Sequence, residues 1–195
     1  NHLREQLRPV RAWGFEMIKH DFSTYDILGR WGFQMGAELT SPNWHFADRT
    51  RTTAEIILGF YRVIREGAQD AMLIGCNTVG HFGAGLFEAQ RIGDDTSGRD
   101  WNRTRKMGVN TLAFRLPQHD TFFAADPDCV PVTEQIPWKM TQQWLRLVAA
   151  SGTALFVSPD PKVTGTAEKK AIREAFATVA RSGNTTGGRV INQHV

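Results

Sequence analysis

Residues 13–21, WGFEMIKHD, form an apolar run that ends in charged side chains, which predicts a buried β-strand with a polar tip. Residues 89–95, AQRIGDD, follow the same pattern and end in two carboxylates. Each segment also carries a cation within four residues of its last aspartate, Lys19 in the first and Arg91 in the second. The fold and the chemistry of the remaining sequence are best interpreted from these two strands.

Strands alternate with helices along the rest of the chain. Glycine and proline divide the sequence into units in which a short apolar run precedes a segment with helical spacing of apolar residues. The predicted strands are residues 13–21, 70–76, 89–95, 121–128 and 154–158, and the predicted helices are residues 50–66, 99–113, 133–150 and 167–180. We expect the chain to open almost directly into the first strand and to end in a flexible tail over residues 182–195.

Polar and acidic residues gather at the carboxyl ends of the predicted strands. Strands that are apolar on both faces and alternate with helices are typical of a parallel sheet covered by helices. Both a (β/α)8 barrel and an open doubly wound sheet place their chemistry at these strand ends. A complete barrel has eight strands and about 250 residues. The chain is therefore predicted to be a single α/β domain over residues 1–195, either the C-terminal part of a TIM barrel or an open sheet.

The composition is that of an ordinary globular domain. Hydrophobic residues make up 41% and charged residues 22%, and the net charge of +3 is spread along the chain, so we expect no nucleic-acid partner. No apolar run approaches the roughly 18 residues of a membrane span, so no membrane association is expected either. The six histidines show no metal-ligand spacing, and Cys76 and Cys129 cannot form a disulfide framework. We expect neither a metal nor a cofactor.

Asp21 and Asp95 are the candidate catalytic pair. Two carboxylates at the ends of separate strands suit a retaining glycosidase, in which a nucleophile and an acid/base lie about 5–5.5 Å apart. Lys19 lies two residues before Asp21, and therefore on the same strand face, where it can keep that carboxylate ionised or bind a sugar hydroxyl. The structural alternatives are a loop-capping aspartate at position 21 and a helix N-cap at position 95.

Motifs in the first part of the chain resemble the catalytic barrel of α-galactosidases of glycoside hydrolase clan D, the melibiase-like families. In that family the fourth strand ends in Lys-x-Asp, matched here by Lys19-His20-Asp21, and the fifth strand ends in a cysteine, matched by Cys76. The sixth strand ends in Arg-x-x-x-Asp, matched by Arg91 and Asp95. The loop that begins at Asn77 departs from the fifth-strand loops of the clan, which leaves the sugar specificity open.

The motifs continue through the second part of the chain, so that the resemblance covers residues 13–160. The Asp-Pro-Asp of the seventh strand is matched by residues 126–128, and the eighth strand, which follows a tryptophan-containing helix, by residues 151–160 after Trp144. The resemblance implies that this chain supplies strands four to eight of a (β/α)8 barrel. It also implies retaining hydrolysis of α-galactosides without a cofactor.

The resemblance assigns a role to each candidate residue. Asp21 is the implied nucleophile and Asp95 the implied acid/base, with Asp94 as the alternative for the second role. The implied substrate-binding residues are Lys19, Cys76, Asn77, Arg91, Asp94, Asp126 and Asp128. Loop aromatic residues are further candidates for stacking on sugar rings or for packing beneath their loops: Trp31, Trp44 and Phe82.

Alternative functions remain at this stage. An α-N-acetylgalactosaminidase or a transglycosylase of the same clan would use the same carboxylates. A non-catalytic carbohydrate-binding or structural half-barrel would instead assemble with a partner chain, either a second copy or the remaining half of the barrel. An open sheet of unrelated function would reverse its strand order, whereas a barrel keeps sequential strands adjacent.

Overall fold

A computed structural model describes residues 2–28 and 43–183 of the chain. The chain divides into two compact units, which meet in sequence between Arg91 and Ile92. The first unit contains α1 (His2–Ala12), β1 (Met17–His20), α2 (Ser23–Leu28), α3 (Thr53–Ala68), β2 (Met72–Gly75) and β3 (Ala89–Arg91). The second unit contains α4 (Trp101–Thr104), α5 (Thr111–Arg115), β4 (Ala124–Asp126), β5 (Cys129–Val132), α6 (Trp138–Ser151), β6 (Phe156–Pro159) and α7 (Thr166–Gly183).

The strands of the first unit form a parallel sheet in the order β1-β2-β3. Met17 pairs with Met72 and His20 with Gly75, and Gly75 in turn pairs with Gln90. Sequential strands are thus neighbours in this unit, as in a barrel, without the reversal of order that an open doubly wound sheet requires. Because the strands are parallel, the residues that follow β1 and β2 lie at the same edge of the sheet.

Helix α3 packs against this sheet and begins with a capping box. The Thr52 hydroxyl accepts the Glu55 N–H at 3.2 Å, and the Glu55 carboxylate accepts the Thr52 N–H at 2.7 Å. The apolar face of α3 buries Ile57, Tyr61 and Ile64 against the sheet. A polar hydroxyl, that of Tyr61, therefore lies within an otherwise apolar layer.

Helix α1 was not predicted, since the chain was expected to open almost directly into a strand. Leu3, Leu7 and Val10 are partly buried at helical spacing, which is the sequence signal for this helix. Leu7 packs closely on α3, because a Cβ at Gly67 would lie 2.8 Å from Leu7 Cβ. Arg11 reinforces the contact between the helices by a bidentate ion pair with Asp70, at 2.6 and 3.0 Å.

The first strand is shorter and more exposed than predicted. It covers four residues instead of residues 13–21, and its side chains alternate between exposed and half-buried. Trp13, Phe15 and Met17 are at least half exposed. In the described part of the first unit, β1 pairs with β2 on one side only, which makes it an edge strand.

The predicted strand 121–128 contains only the short strand β4, and β5 follows it where no strand was predicted. Pro127 between them has no N–H to contribute to a ladder, and Asp128 has a left-handed backbone with φ +76°. The chain therefore turns after Asp126, and β5 pairs in parallel with β6, Cys129 facing Phe156. The structure thus has six strands in its described residues, where five were predicted.

The predicted helix 99–113 is also interrupted. It consists of α4, a π-helical turn (Arg105–Asn110) and α5. The wider turn brings the Met107 carbonyl close to the loop that follows β3, and a Cβ at Gly93 would overlap that oxygen. Beneath it, Trp144 of α6 is fully buried in the core of the second unit and would lie 3.0 Å from a Cβ at Gly108.

We expect Thr52→Ala to lower the free energy of unfolding by about 1 kcal/mol, because it removes the hydroxyl that caps the first turn of α3. Chemical denaturation of the variant and the parent chain measures the difference. Thr53→Ala, which removes the neighbouring hydroxyl but leaves the capping box intact, is the matched control. Equal losses in the two variants would contradict a capping role for Thr52.

Candidate active site

Asp21 lies immediately after β1, with its carboxylate held by three donors. Its Oδ1 accepts the Asn77 side-chain N–H at 2.5 Å and the Phe22 backbone N–H at 2.7 Å, and the Cys76 thiol donates a third hydrogen bond to the carboxylate. Partial burial opposes ionisation, but these hydrogen bonds and the positive charge of Lys19 lower the pKa of Asp21 below its usual value. Asp21 is therefore ionised at neutral pH.

Both donors to Asp21 Oδ1 belong to residues with a left-handed backbone. Phe22 has φ +58° and Asn77 has φ +49°, and both follow the carboxyl ends of strands. Asparagine tolerates this backbone conformation better than most residues, whereas an aromatic residue rarely adopts it. Strain of this kind persists only where surrounding contacts fix the backbone. At Asn77 this backbone accompanies a side-chain amide that is directed at Asp21 Oδ1, the oxygen that also accepts the Phe22 N–H.

Cys76 is the buried floor of this site. Burial raises the pKa of its thiol to about 11, and the nearby Asp21 carboxylate acts in the same direction, against the opposing charges of Arg91 and Lys19. The thiol is therefore protonated at neutral pH and serves as a hydrogen-bond donor to Asp21. The same electrostatic relations show that Lys19 and Arg91 both lie near the site within the first unit.

His20 points to the opposite face of the sheet, as strand alternation predicts. Its ring contacts Phe87 edge-on at 4.6 Å and Tyr61 of α3 at 6.3 Å between ring centroids. Burial lowers the pKa of His20 to about 4, although the charge of Asp21 acts to raise it. The imidazole is thus neutral near pH 7 and belongs to the layer between the sheet and α3.

The acidic residues of the second unit follow Ile92. Asp94 Oδ2 forms an ion pair with Arg103 Nη2 at 2.9 Å, and Asp94 Oδ1 accepts the Asp95 N–H at 2.7 Å. Arg103 Nε also donates to the Asp95 carbonyl at 3.0 Å, while the side chain of Asp95 is exposed. Asp94 and Arg103 thus fix the backbone of Asp95, and the Asp95 carboxylate lies at the surface of the unit. The helix N-cap of α4 is Asp100 instead of Asp95.

Asp126 and Asp128 are buried and hold the turn between β4 and β5. Asp126 Oδ1 accepts the Asp128 N–H at 2.8 Å. Asp128 Oδ2 accepts the Thr96 N–H at 2.7 Å and contacts the Thr96 hydroxyl at 3.2 Å. The carboxylate of Asp128 therefore anchors the loop that carries Asp95.

The candidate residues thus fall into one group in each unit. Asp21, Lys19, Cys76, Asn77 and Arg91 lie together in the first unit. Asp94, Asp95, Asp126 and Asp128 lie in the second unit, linked through Thr96 and the backbone of the loop.

Several residues that hold these groups were not found from the sequence. They are Ser23, Tyr61, Thr96 and Arg103. Among these four residues, only Tyr61 had a signal in the sequence. It lies within the apolar stripe of α3, and a buried hydroxyl needs a hydrogen-bond partner.

The loop aromatic residues have mixed surroundings. Trp44 packs edge-on against Phe46 at 4.6 Å between ring centroids and keeps 39% of its surface exposed. The Phe82 ring lies 4.3 Å from that of His81. Trp31 lies outside the described residues.

Within the residues that the structure describes, histidine, cysteine, aspartate and glutamate side chains form no group that could hold a metal ion. The helices of the same residues include none with the length and apolar character needed to cross a membrane.

Several solved structures with a similar fold are those of glycosidases. An α-galactosidase from Thermus thermophilus in complex with p-nitrophenyl α-D-galactopyranoside matches 92% of this chain with a TM-score of 0.58 and 19% identity. The same enzyme in complex with stachyose matches 88% with a TM-score of 0.59 and 17% identity. A GH27 β-L-arabinopyranosidase from Geobacillus stearothermophilus matches 92% with a TM-score of 0.64 and 10% identity.

The chain spans 35%, 36% and 40% of the lengths of these three structures. No family model matches the sequence, and no curated protein matches it. At these identities the similarity establishes the fold: parallel strands and helices arranged as in part of a glycosidase TIM barrel.

We expect Asn77→Gly to raise the pKa of Asp21, because it removes an amide donor while keeping a residue suited to a left-handed backbone. The lowered pKa of Asp21 in the folded chain stabilises it above the unfolded pKa, and this contribution disappears as the pH falls through the folded value. The variant should therefore lose stability at neutral pH and approach the parent in acid. Carboxyl NMR titration and denaturation across pH measure both effects.

Asn43→Gly is the matched control for that experiment, because Asn43 is also left-handed, with φ +65°, in the first unit. A shift of the Asp21 pKa in the control, or none in Asn77→Gly, would contradict the assigned hydrogen bond.

We expect Asp128→Ala to lower the free energy of unfolding by about 1–3 kcal/mol, because the buried Thr96 N–H loses its acceptor. Amide hydrogen exchange at Thr96 should become faster in the same variant. Asp128→Asn keeps an oxygen acceptor and tolerates the left-handed backbone, so it should retain most of the protection. Unchanged exchange at Thr96 in the alanine variant would show that Asp128 does not hold this loop.

Proposed function

We propose that this chain is part of a retaining glycoside hydrolase that acts on α-galactosides, with Asp21 as nucleophile and Asp95 as acid/base. The observation that carries the proposal is the ionised Asp21 carboxylate at a strand end, held by donors from two loops in a fold shared with α-galactosidases. A nucleophilic carboxylate must be ionised and fixed in direction, and both requirements are met by its surroundings.

The reaction proceeds by two displacements. Asp21 attacks the anomeric carbon while the protonated Asp95 transfers its proton to the leaving oxygen, so that the glycosidic bond breaks and a glycosyl ester forms. Asp95, now a carboxylate, takes a proton from water as that water attacks the same carbon and releases Asp21. Two inversions give net retention, and no redox partner is required.

Asp95 suits the acid/base role better than Asp94. The Asp94 carboxylate is engaged by Arg103 and by the Asp95 N–H, whereas the Asp95 side chain is exposed. An acid/base has to exchange protons with both the leaving group and water, which an exposed carboxyl can do. Asp94 would then act by fixing the loop.

Lys19 and Arg91 supply positive charge around the nucleophile. Lys19 is exposed and lowers the pKa of Asp21, and Arg91 is half-exposed beside Cys76. Both can donate to sugar hydroxyls, and Asn77 and Cys76 line the same side of the site. Asp126 and Asp128 contribute by holding the turn between β4 and β5.

A galactoside is the proposed substrate because two of the structures with this fold contain galactosides: p-nitrophenyl α-D-galactopyranoside in one and stachyose in the other. The fold is also that of a β-L-arabinopyranosidase. β-L-arabinopyranose has the ring configuration of α-D-galactopyranose without the hydroxymethyl group. Its aryl glycoside therefore belongs in the substrate panel.

We further propose that the remaining barrel strands pair with the edge of β1. In the described residues this edge lacks a partner, and Trp13, Phe15 and Met17 beside it are exposed. An exposed edge with apolar side chains is a liability in an isolated sheet. A preceding part of the same protein or a second copy would cover it.

In the full-length protein we expect hydrolysis of p-nitrophenyl α-D-galactopyranoside and a loss of at least about 10³-fold in kcat for Asp21→Ala, because no covalent intermediate can form. Release of p-nitrophenol measures the rate. Asp70→Ala is the control, since it removes a carboxylate of the same unit that is engaged in an ion pair with Arg11.

The acid/base role is tested with leaving groups of different basicity. Asp95→Ala should retain most of the parent rate of glycosyl-enzyme formation with dinitrophenyl galactoside and lose it with alkyl galactosides, because only a poor leaving group needs the proton. Asp94→Ala should lower both rates alike. The reverse pattern would transfer the role to Asp94.

Hydrolysis of a different α-glycoside would keep the proposed mechanism and change the proposed sugar. If the full-length protein hydrolyses no α-glycoside, a binding or structural half-barrel is favoured instead.

A further inference from the structure

The Tyr61 hydroxyl is buried in the apolar layer between α3 and the sheet. The residue has no exposed surface, and its ring packs among Phe60, Phe87 and His20. Burial raises the pKa of Tyr61, so the phenol is neutral and its hydroxyl can both donate and accept. Burying a hydroxyl costs free energy unless it forms hydrogen bonds, so the hydrogen-bond partners of Tyr61 contribute to the stability of this layer.

Those partners lie in the segments that follow β1 and β2. Tyr61 Oη accepts the Val79 N–H at 2.8 Å and also hydrogen-bonds to the Ser23 and Thr78 hydroxyls. Ser23 Oγ in turn donates to the Asn77 carbonyl at 3.3 Å. These hydrogen bonds are mutually consistent if Tyr61 donates its proton to Ser23 and accepts those of Val79 and Thr78.

The backbone of Asn77 is thus fixed from both sides. Its carbonyl is held through Ser23, and Val79, two residues further on, is held by Tyr61 directly. This restraint accounts for the left-handed φ of +49° at Asn77, which directs its side-chain amide to Asp21 Oδ1. A change in the loop backbone would misdirect that amide.

We propose that the Tyr61 hydroxyl is a positioning group for the Asp21 carboxylate, acting from the opposite side of the sheet through Ser23, Val79 and Asn77. This positioning of Asp21 does not depend on which reaction the protein catalyses, but its effect on catalysis rests on the proposed function. Tyr61 does not contact the substrate in this account. It fixes the loop from which the donor to the nucleophile projects.

The test replaces Tyr61 by phenylalanine in the full-length protein. This change keeps the buried ring and removes only the oxygen. We expect kcat/KM for p-nitrophenyl α-D-galactopyranoside to fall about 10- to 100-fold, because a nucleophile misplaced by a fraction of an ångström loses much of its effective molarity. The double variant Tyr61→Phe/Asn77→Gly should lose no more than Asn77→Gly alone, since the hydroxyl acts through Asn77.

Ser151→Ala is the matched control for loss of a buried hydroxyl. Ser151 Oγ donates to the Val148 carbonyl at 2.8 Å in the second unit and has no part in the proposed machinery. A comparable loss of stability is expected in both single variants, but a loss of activity only in Tyr61→Phe. Equal activity of Tyr61→Phe and parent, or additive losses in the double variant, would overturn the proposal.

A second readout does not depend on catalysis. NMR titration of the Asp21 carboxyl should give a higher pKa in Tyr61→Phe than in the parent, because the amide donor is no longer held in place. The charged and titratable groups near Asp21 in its unit are unchanged in sequence in this variant: Lys19 and Cys76 beside it, Arg91 beside Cys76, and His20 on the opposite face of the sheet. If the parent hydrolyses no glycoside, the proposed function fails while this titration still decides the positioning. An unchanged Asp21 pKa would overturn it.

Discussion

The loops after β1 and β2 are joined by the hydrogen bond from the Asn77 amide to the Asp21 carboxylate. This contact requires parallel strands in register, His20 beside Gly75, so that both loops leave the sheet at the same edge. It requires a left-handed Asn77, and through that a buried hydroxyl to hold the loop. In return the contact keeps a carboxylate charged where burial would otherwise favour its protonated form. The sheet, the loop geometry and the chemistry of Asp21 therefore depend on one another.

In the second unit, a candidate carboxylate also lies on a loop that is held in place, but the contacts that hold this loop are made by charged groups. Its loop after Ile92 is fixed by charges, with Arg103 on Asp94 and Asp128 on Thr96. One carboxylate of the loop, that of Asp95, stays at the surface. Ion pairs and buried carboxylates fix backbone direction as well as hydroxyls do, because each accepts or donates several hydrogen bonds at once. The two units thus present one carboxylate held by neutral donors and another on a loop fixed by charged groups.

The ends of the first two strands were predictable within one residue, because their apolar runs stop at Asp21 and Cys76. The third strand ends at Arg91, before the predicted end at Asp95. Helix α1 was missed because Leu3 and Leu7 have helical spacing within a mainly polar segment, and only packing on Gly67 of α3 makes their burial visible. The turn that separates β4 from β5 depends on the left-handed backbone of Asp128, which a pattern of apolar residues does not reveal.

The supporting residues of the site escaped sequence analysis for a related reason. Tyr61 and Ser23 meet across 38 residues of sequence and Arg103 reaches Asp94 across nine, so their roles arise from tertiary contact. The exposure of alternate side chains in β1 could likewise not be predicted from the sequence. An apolar strand at the edge of a sheet and one in its middle have similar sequences.

Gly93 illustrates how little freedom the loop of Asp95 has to vary in evolution. A methyl group at this position would overlap the Met107 carbonyl, which is backbone and cannot rotate away as a side chain would. Substitution would have to be accompanied by a rearrangement of the π-helical turn, and that turn lies over Trp144 through Gly108. Divergent relatives that keep this turn should therefore keep a glycine here, whatever their function. The spacing between Arg91 and Asp95 would then be inherited from a packing constraint as much as from any shared chemistry.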